Sequence, residues 1–170
     1  MKISKTLISK EEIENKISEI ANKINDKYDE AELVVIGILK GAFIVVSDLA
    51  KQLQLDVTFD FMSIKSYYGS ESSGQIKIIK DLEYDITDKN VLIVEDIYDT
   101  GLTLSNLKKL LESRNPKNIE IFCMFVKKDV AEDPIEIDYS GFEIGPEFVV
   151  GYGLDYNGKY RELPYLGVLS

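Results

Sequence analysis

Between residues 95 and 103 the chain reads Glu95-Asp96-Ile97-Tyr98-Asp99-Thr100-Gly101-Leu102-Thr103, three acids followed by Thr-Gly-x-Thr. Backbone N–H groups at a helix N-terminus, with the Thr100 and Thr103 hydroxyls, can cradle a phosphate. Gly101 removes the side chain that would block close approach. Acids are out of place in a bare anion site. They fit if they bind hydroxyls and a cation, so Glu95 and Asp96 suit a sugar diol or Mg²⁺, which prefers carboxylate and phosphate oxygens. A phosphorylated sugar satisfies both halves. The plainer alternative makes Asp99 or Thr103 a helix N-cap and Glu95-Asp96 a solvated turn. The chain contains no Gly-x-x-x-x-Gly-Lys-[Ser/Thr] phosphate loop.

A buried strand over Val91 to Val94 and a helix marked by Leu104, Leu107, Leu110 and Leu111, ending near Asn115-Pro116, must hold this segment. Ser9-x-x-Glu12 has the form of a capping box. Ile13, Ile17, Ile20, Ala21 and Ile24 follow at helical spacing, predicting a helix that ends before Tyr28. Leu33 to Leu39 and Ile119 to Val126 read as further buried strands, Gly41 to Gln54 as a helix, and Val57 to Ile64 and Ile76 to Ile79 as strands. Ser66 to Gln75 is a Ser/Gly-rich loop without a core pattern, Phe148 to Val150 a short strand and Asn157-Gly158 a turn. Helices alternating with apolar strands predict an α/β fold with a mostly parallel, twisted central sheet flanked by helices. Ligands bind such sheets at the strands' carboxyl ends, here just after Leu39, Val94, Val126 and Val150.

The 170 residues are expected to form one domain, 1–170. Lys+Arg number 20 and Asp+Glu 30, with no His, for a net charge of −10. An acidic chain is a poor partner for nucleic acid, so none is expected. Without His, and with Cys123 alone, Cys/His zinc sites, His-based triads and an intramolecular disulfide are excluded. Acid–base work must fall to Asp, Glu, Lys or Tyr. No apolar run approaches the ~20 residues that span a bilayer, and the first residues lack a signal-like apolar region, so no membrane association and a cytoplasmic location are expected.

The segment VLIVEDIYDTGLTL resembles the phosphoribosyl pyrophosphate (PRPP) signature of type I phosphoribosyltransferases, in its hypoxanthine-guanine form. Leu39-Lys40-Gly41 resembles that family's pyrophosphate loop, and Ser66-Tyr67 with the Ser/Gly stretch its lid. Phe125-Val126-Lys127-Lys128 resembles its purine-recognition strand end, and Phe148 to Asn157 its C-terminal hood. The resemblance covers nearly the whole chain in order. It implies the type I phosphoribosyltransferase fold with a small C-terminal hood, and transfer of phosphoribose from PRPP to hypoxanthine or guanine, giving IMP or GMP plus pyrophosphate.

By the same resemblance, Glu95 and Asp96 bind the ribose hydroxyls directly or through Mg²⁺, and Asp99 is the general base at purine N7. Asp99, Thr100, Gly101, Leu102 and Thr103 form the 5′-phosphate loop. Lys40, Gly41 and Arg161 meet pyrophosphate, and the Leu39–Lys40 peptide is cis in many relatives. Lys127 donates to the purine 6-oxo group, Phe148 stacks on the base, and the Val149 and Asp155 carbonyls accept from a 2-amino group. The Asp155 carboxylate holds a second Mg²⁺. Residue chemistry agrees at two points: lysine is donor-only, suiting an oxo group and opposing a 6-amino group, and Phe148 offers an apolar face. Leu102 stands where some relatives carry a basic residue, so the loop relies on N–H and hydroxyl donors. Tyr98 stands where an aliphatic residue is frequent, its hydroxyl expected to face solvent or a neighbouring subunit. Relatives imply a homodimer or homotetramer, with the apolar faces of Ile13 to Ile24 or Phe43 to Leu53 as contributors. Two rival readings share the fold: transfer to xanthine or adenine, and a nucleic-acid-binding regulator.

Overall fold

Apolar runs long enough to be buried on both faces form the middle of the central sheet. The protein is seen as a computed structural model that describes residues 2–66, 75–128 and 134–170. In chain order its elements are β1 (Ile3–Ile8), α1 (Lys10–Lys27), β2 (Glu32–Leu39), α2 (Phe43–Ala50), β3 (Asp56–Ser66) and β4 (Ile76–Lys80). Then come β5 (Asn90–Tyr98), α3 (Leu102–Glu112), β6 (Asn118–Lys127), β7 (Tyr139–Ile144), β8 (Val149–Val150) and β9 (Leu166–Leu169). The large sheet runs β4-β3-β2-β5-β6-β7. All its pairings are parallel except β3 with β4.

Strand side chains alternate between faces, and two cores result. Leu33, Val35, Leu92 and Val94 point into one with Ile13, Ile17, Ile20 and Ile24 of α1 and Val45, Val46 and Leu49 of α2. Val34, Ile36, Ile93 and Ile121 point into the other with Leu104, Leu107 and Leu111 of α3. The apolar stripe of α1 is thus consumed by the chain's own core, and it is not a surface for a second subunit. Of the α2 stripe, Val46 and Leu49 are buried, Ile44, Ala50 and Leu53 are half-buried, and Phe43 stays 40% exposed.

Helix α1 begins with the capping box its sequence predicts. The Ser9 hydroxyl accepts from the Glu12 N–H at 3.2 Å and the Glu12 carboxylate from the Ser9 N–H at 2.8 Å. It ends at Lys27, and Tyr28 turns inward to donate to the buried Glu120, which also takes Lys27 Nζ at 2.6 Å.

Elsewhere the structure corrects the sequence reading. Helix α2 is shorter than Gly41 to Gln54. Lys40 and Gly41 form a turn ahead of it, and beyond it Asn25 draws the chain away, bonding the Gln52 carbonyl and the Gln54 N–H. Strand β5 does not stop at Val94. It runs to Tyr98, so Glu95 and Asp96 lie within the strand. Tyr98 does not face solvent: it is buried against α3, and its hydroxyl accepts from the Ile135 N–H at 3.4 Å. Strands β1, β7 and β9 were not expected. The hood is not wholly C-terminal either, because β1 pairs with β9, and β9 with β8, in a separate antiparallel sheet. Of the expected lid pair, Ser66 closes β3, whereas Tyr67 lies outside the described residues.

Candidate active site

The carboxyl ends of β2, β3, β5 and β6 bring the singled-out residues to one edge of the sheet. Where β5 gives way to α3 there is a hollow of about 180 Å³, lined by Glu95, Asp99, Thr100, Gly101 and Thr103 among others. Gly101 is the residue just before α3, with φ +80°. This left-handed conformation strains residues that carry a Cβ. Unlike α1, helix α3 has no side chain capping it and no acid in its first turn. Its first N–H groups are therefore left to whatever enters the hollow, the arrangement that favours a phosphate. Asp99 and Thr103 do not act as N-caps.

Glu95 and Asp96 are adjacent and sparingly hydrated. Asp96 is 9% exposed. Its N–H donates to Glu95 Oε2 at 3.2 Å and its Oδ1 accepts from the Ile97 N–H at 2.8 Å. Burial, and then the Asp96 charge, push the Glu95 carboxyl well above the ordinary carboxylate range. Burial raises Asp96 as well, opposed by hydrogen bonds from Glu95 and the backbone and by the Arg161 charge. Carboxyls raised in this way are short of positive partners, a shortage that a divalent cation relieves. Among the described residues no three His, Cys, Asp or Glu side chains converge as a metal cage. Two carboxylates completed by substrate oxygens and water is the usual way of holding Mg²⁺. The donor set therefore fits Mg²⁺ in company with substrate.

Lys40 and Gly41 follow β2, and the Leu39–Lys40 peptide is cis. Gly41 lies directly against Asp96: a Cβ there would stand 1.6 Å from Asp96 Oδ2. Lys127, at the end of β6, reaches back across the sheet edge, its Nζ 3.2 Å from Asp99 Oδ2. The hood packs onto the Lys40–Gly41 turn, where a Cβ on Gly153 would stand 2.0 Å from the Gly41 carbonyl oxygen. Phe148 is 52% exposed and is steadied edge-on by Tyr156, ring centroids 5.8 Å apart. Val149 is buried in β8. Asp155 accepts from the Gly158 N–H at 2.8 Å and faces Arg161 Nη2 at 3.0 Å. Arg161 Nη1 donates to the Gly153 carbonyl at 2.6 Å. The structure thus gathers Glu95, Asp96 and Gly41 in one cluster and Asp99 and Lys127 in another, and brings the Asp155–Arg161 pair up to the first, the Arg161 charge acting on Asp96 and Gly153, which accepts from Arg161, packing against Gly41.

Two contacts had no sequence signal. Ser66 Oγ lies 2.5 Å from Thr103 Oγ1, and Tyr156 buttresses Phe148. No local pattern foreshadows either. Cys123 is fully buried in the second core, and burial, with the nearby charges of Glu95 and Asp96 adding to it, pushes its thiol up.

A family model described as the phosphoribosyl transferase domain matches residues 5–157. The hypoxanthine-guanine phosphoribosyltransferase of Bacillus subtilis (strain 168) is 45% identical over 169 residues, 99% of this chain and 94% of its own length. A hypoxanthine phosphoribosyltransferase crystal structure from Staphylococcus aureus superposes with TM-score 0.95 at 43% identity, covering 99% of this chain and 92% of that one. The Trypanosoma cruzi hypoxanthine phosphoribosyltransferase in complex with the product IMP superposes with TM-score 0.92 at 37% identity, covering 99% and 95%.

Proposed function

The chain belongs to the phosphoribosyl transferase family, and on that premise we propose that it transfers the 5-phosphoribosyl group of PRPP to hypoxanthine or guanine, forming IMP or GMP and releasing pyrophosphate. The observation that carries the choice of base is the 3.2 Å pair of Lys127 Nζ and Asp99 Oδ2 beside the phosphate hollow. A 6-oxopurine presents its oxo group and N7 side by side on one edge. A donor-only ammonium next to a carboxylate complements that edge, the lysine meeting O6 and the carboxylate the N7 proton. A 6-aminopurine turns its own donors toward the lysine.

The 5′-phosphate sits on the α3 N-terminus, held by N–H groups and by the Thr100 and Thr103 hydroxyls. Glu95 and Asp96 take the ribose hydroxyls, and Lys40, Gly41 and Arg161 orient the pyrophosphate. The bond from the anomeric carbon to pyrophosphate breaks ahead of attack, its electron pair leaving with pyrophosphate. N9 then bonds the anomeric carbon while Asp99 accepts the N7 proton, keeping electron density on the purine as positive charge develops. Glu95 and Asp96, with substrate oxygens, would hold one Mg²⁺ and the Asp155 carboxylate a second, and ions held there would supply neutralisation of the leaving group's charge. Phe148 covers one face of the base, and the Val149 and Asp155 carbonyls receive the 2-amino group of guanine.

The same proposal has the chain acting as one domain over 1–170, as a homodimer or homotetramer, in the cytoplasm with its charged substrate. The test is a base panel: protein, PRPP and Mg²⁺ with hypoxanthine, guanine, xanthine or adenine, following nucleotide formation. Product from hypoxanthine and guanine but not adenine is expected. PRPP binding without product from any base would overturn the reading.

A further inference from the structure

Ser66 is the last residue of β3, and its Oγ lies 2.5 Å from Thr103 Oγ1 in the first turn of α3. Both residues are half-buried. They come from elements 37 positions apart in sequence, so the contact joins the edge of the sheet to the floor of the hollow. Each hydroxyl has one proton to give and lone pairs to receive. The phosphate oxygens of a nucleotide or of PRPP mainly accept, so Thr103 serves them only by spending its proton on them. That orientation leaves the lone pairs of Thr103 toward Ser66, whose own proton then has an acceptor.

We propose that Ser66 is a positioning residue for the 5′-phosphate: it donates to Thr103, which donates to the phosphate, so that the two hydroxyls work as one relay. The proposal deepens the phosphoribosyltransferase reading and rests on it. Ser66 fixes the Thr103 hydroxyl with its proton pointing into the hollow, and each bond of such a chain polarises the next. The effect belongs to the phosphate alone, since the proposed reaction assigns Thr103 to the 5′-phosphate and to neither the purine nor the ribose. It is also separate from any contact Ser66 makes through pyrophosphate, because a nucleoside monophosphate carries none.

Calorimetric titration of IMP and of inosine into wild type, Ser66→Ala, Thr103→Val and the double variant tests this. Ser66→Ala should weaken IMP about fivefold, the order expected for a neutral hydrogen bond, and leave inosine unchanged. The double variant should bind IMP no more weakly than Thr103→Val alone. Ser66→Thr, which keeps the hydroxyl, should restore wild-type affinity. If Ser66→Ala proves unable to fold, Ser66→Cys offers a thiol of similar size and weak donor strength, and should weaken IMP in the same phosphate-selective way. Equal weakening of IMP and inosine, unchanged IMP affinity, or additive losses in the double variant would overturn the relay while leaving the enzyme reading intact. Wild-type protein that binds neither IMP nor PRPP would overturn the enzyme reading, and the relay with it.

Discussion

Replacing Lys127 by methionine removes the ammonium while keeping most of the side chain's apolar bulk. The lysine side chain is 16% exposed and that of its partner Asp99 51% exposed. Ion pairs with so wet a partner contribute only ~0–1 kcal/mol to stability, so the variant should fold and melt close to wild type. Its effect should fall on the substrate. A hydrogen bond from a charged donor to an oxo group contributes about 1.5–3 kcal/mol, which corresponds to roughly 10- to 150-fold in kcat/KM. Hypoxanthine turnover at saturating PRPP and Mg²⁺ should fall within that range. Lys127→Gln sharpens the test, because an amide can turn its oxygen toward a 6-amino group. The wild type should reject adenine by about 10⁴, as sites built around one hydrogen-bonding pattern do. The glutamine variant should lose much of that ratio, from both sides. A methionine variant within twofold of wild type on hypoxanthine, or a glutamine variant with undiminished preference against adenine, would refute the assignment of Lys127 to O6.

Asp99→Asn should cut turnover by about 10²-fold or more, the scale of general-base catalysis, while PRPP binding measured by titration persists. Glu95→Gln should lower activity yet raise the Tm of protein without ligand. The Glu95 carboxyl is raised in the folded protein, so the fold loses stability as pH rises through that value, whereas below roughly pH 4 both states hold the proton and the variant's advantage vanishes. Calorimetry across pH 4 to 8 checks this, and an advantage that shrinks with rising pH would contradict it. Gly41→Ala, which sets a Cβ 1.6 Å from Asp96 Oδ2, should displace that carboxylate and cost at least about tenfold in turnover with the circular dichroism spectrum unchanged. Excess chelator should abolish turnover, and restored Mg²⁺ should recover it; near-full activity in chelator would sink the metal requirement.

The elements legible in the sequence were those whose periodicity reflects their own burial. α1 announced itself through Ser9, Glu12 and its isoleucines, and β2 through an unbroken run that only a two-sided core explains. β1 could not be read that way. Ser4, Lys5 and Thr6 are polar and mostly exposed, and the strand exists because β9 lies beside it. The early end of α2 was hidden for a similar reason, since Asn25 acts on it from another helix. In the site, Glu95 to Thr103 was legible because its chemistry is contiguous. The approach of Lys127 to Asp99 and of Ser66 to Thr103 was not, since these partners lie 28 and 37 positions apart. No local pattern encodes such a distance. Resemblance supplied roles for Lys127 and Ser66 but not their neighbours.

The pairing of β1 with β9 also sets an order of events during synthesis. Ser4 and its partner Val168 are 164 positions apart, which at ribosomal speed is a wait of roughly 8–30 s. Throughout that interval β1 has no strand to pair with, and an unpaired strand is an invitation to aggregation. Its polar middle, a weakness for recognition from sequence, keeps the nascent segment compatible with water until β9 arrives. β9 in turn supports β8, and the Leu169 N–H bonds the Phe148 carbonyl at 2.9 Å. The wall assigned to the purine in the proposed reaction is therefore among the last parts of the molecule to be put in place.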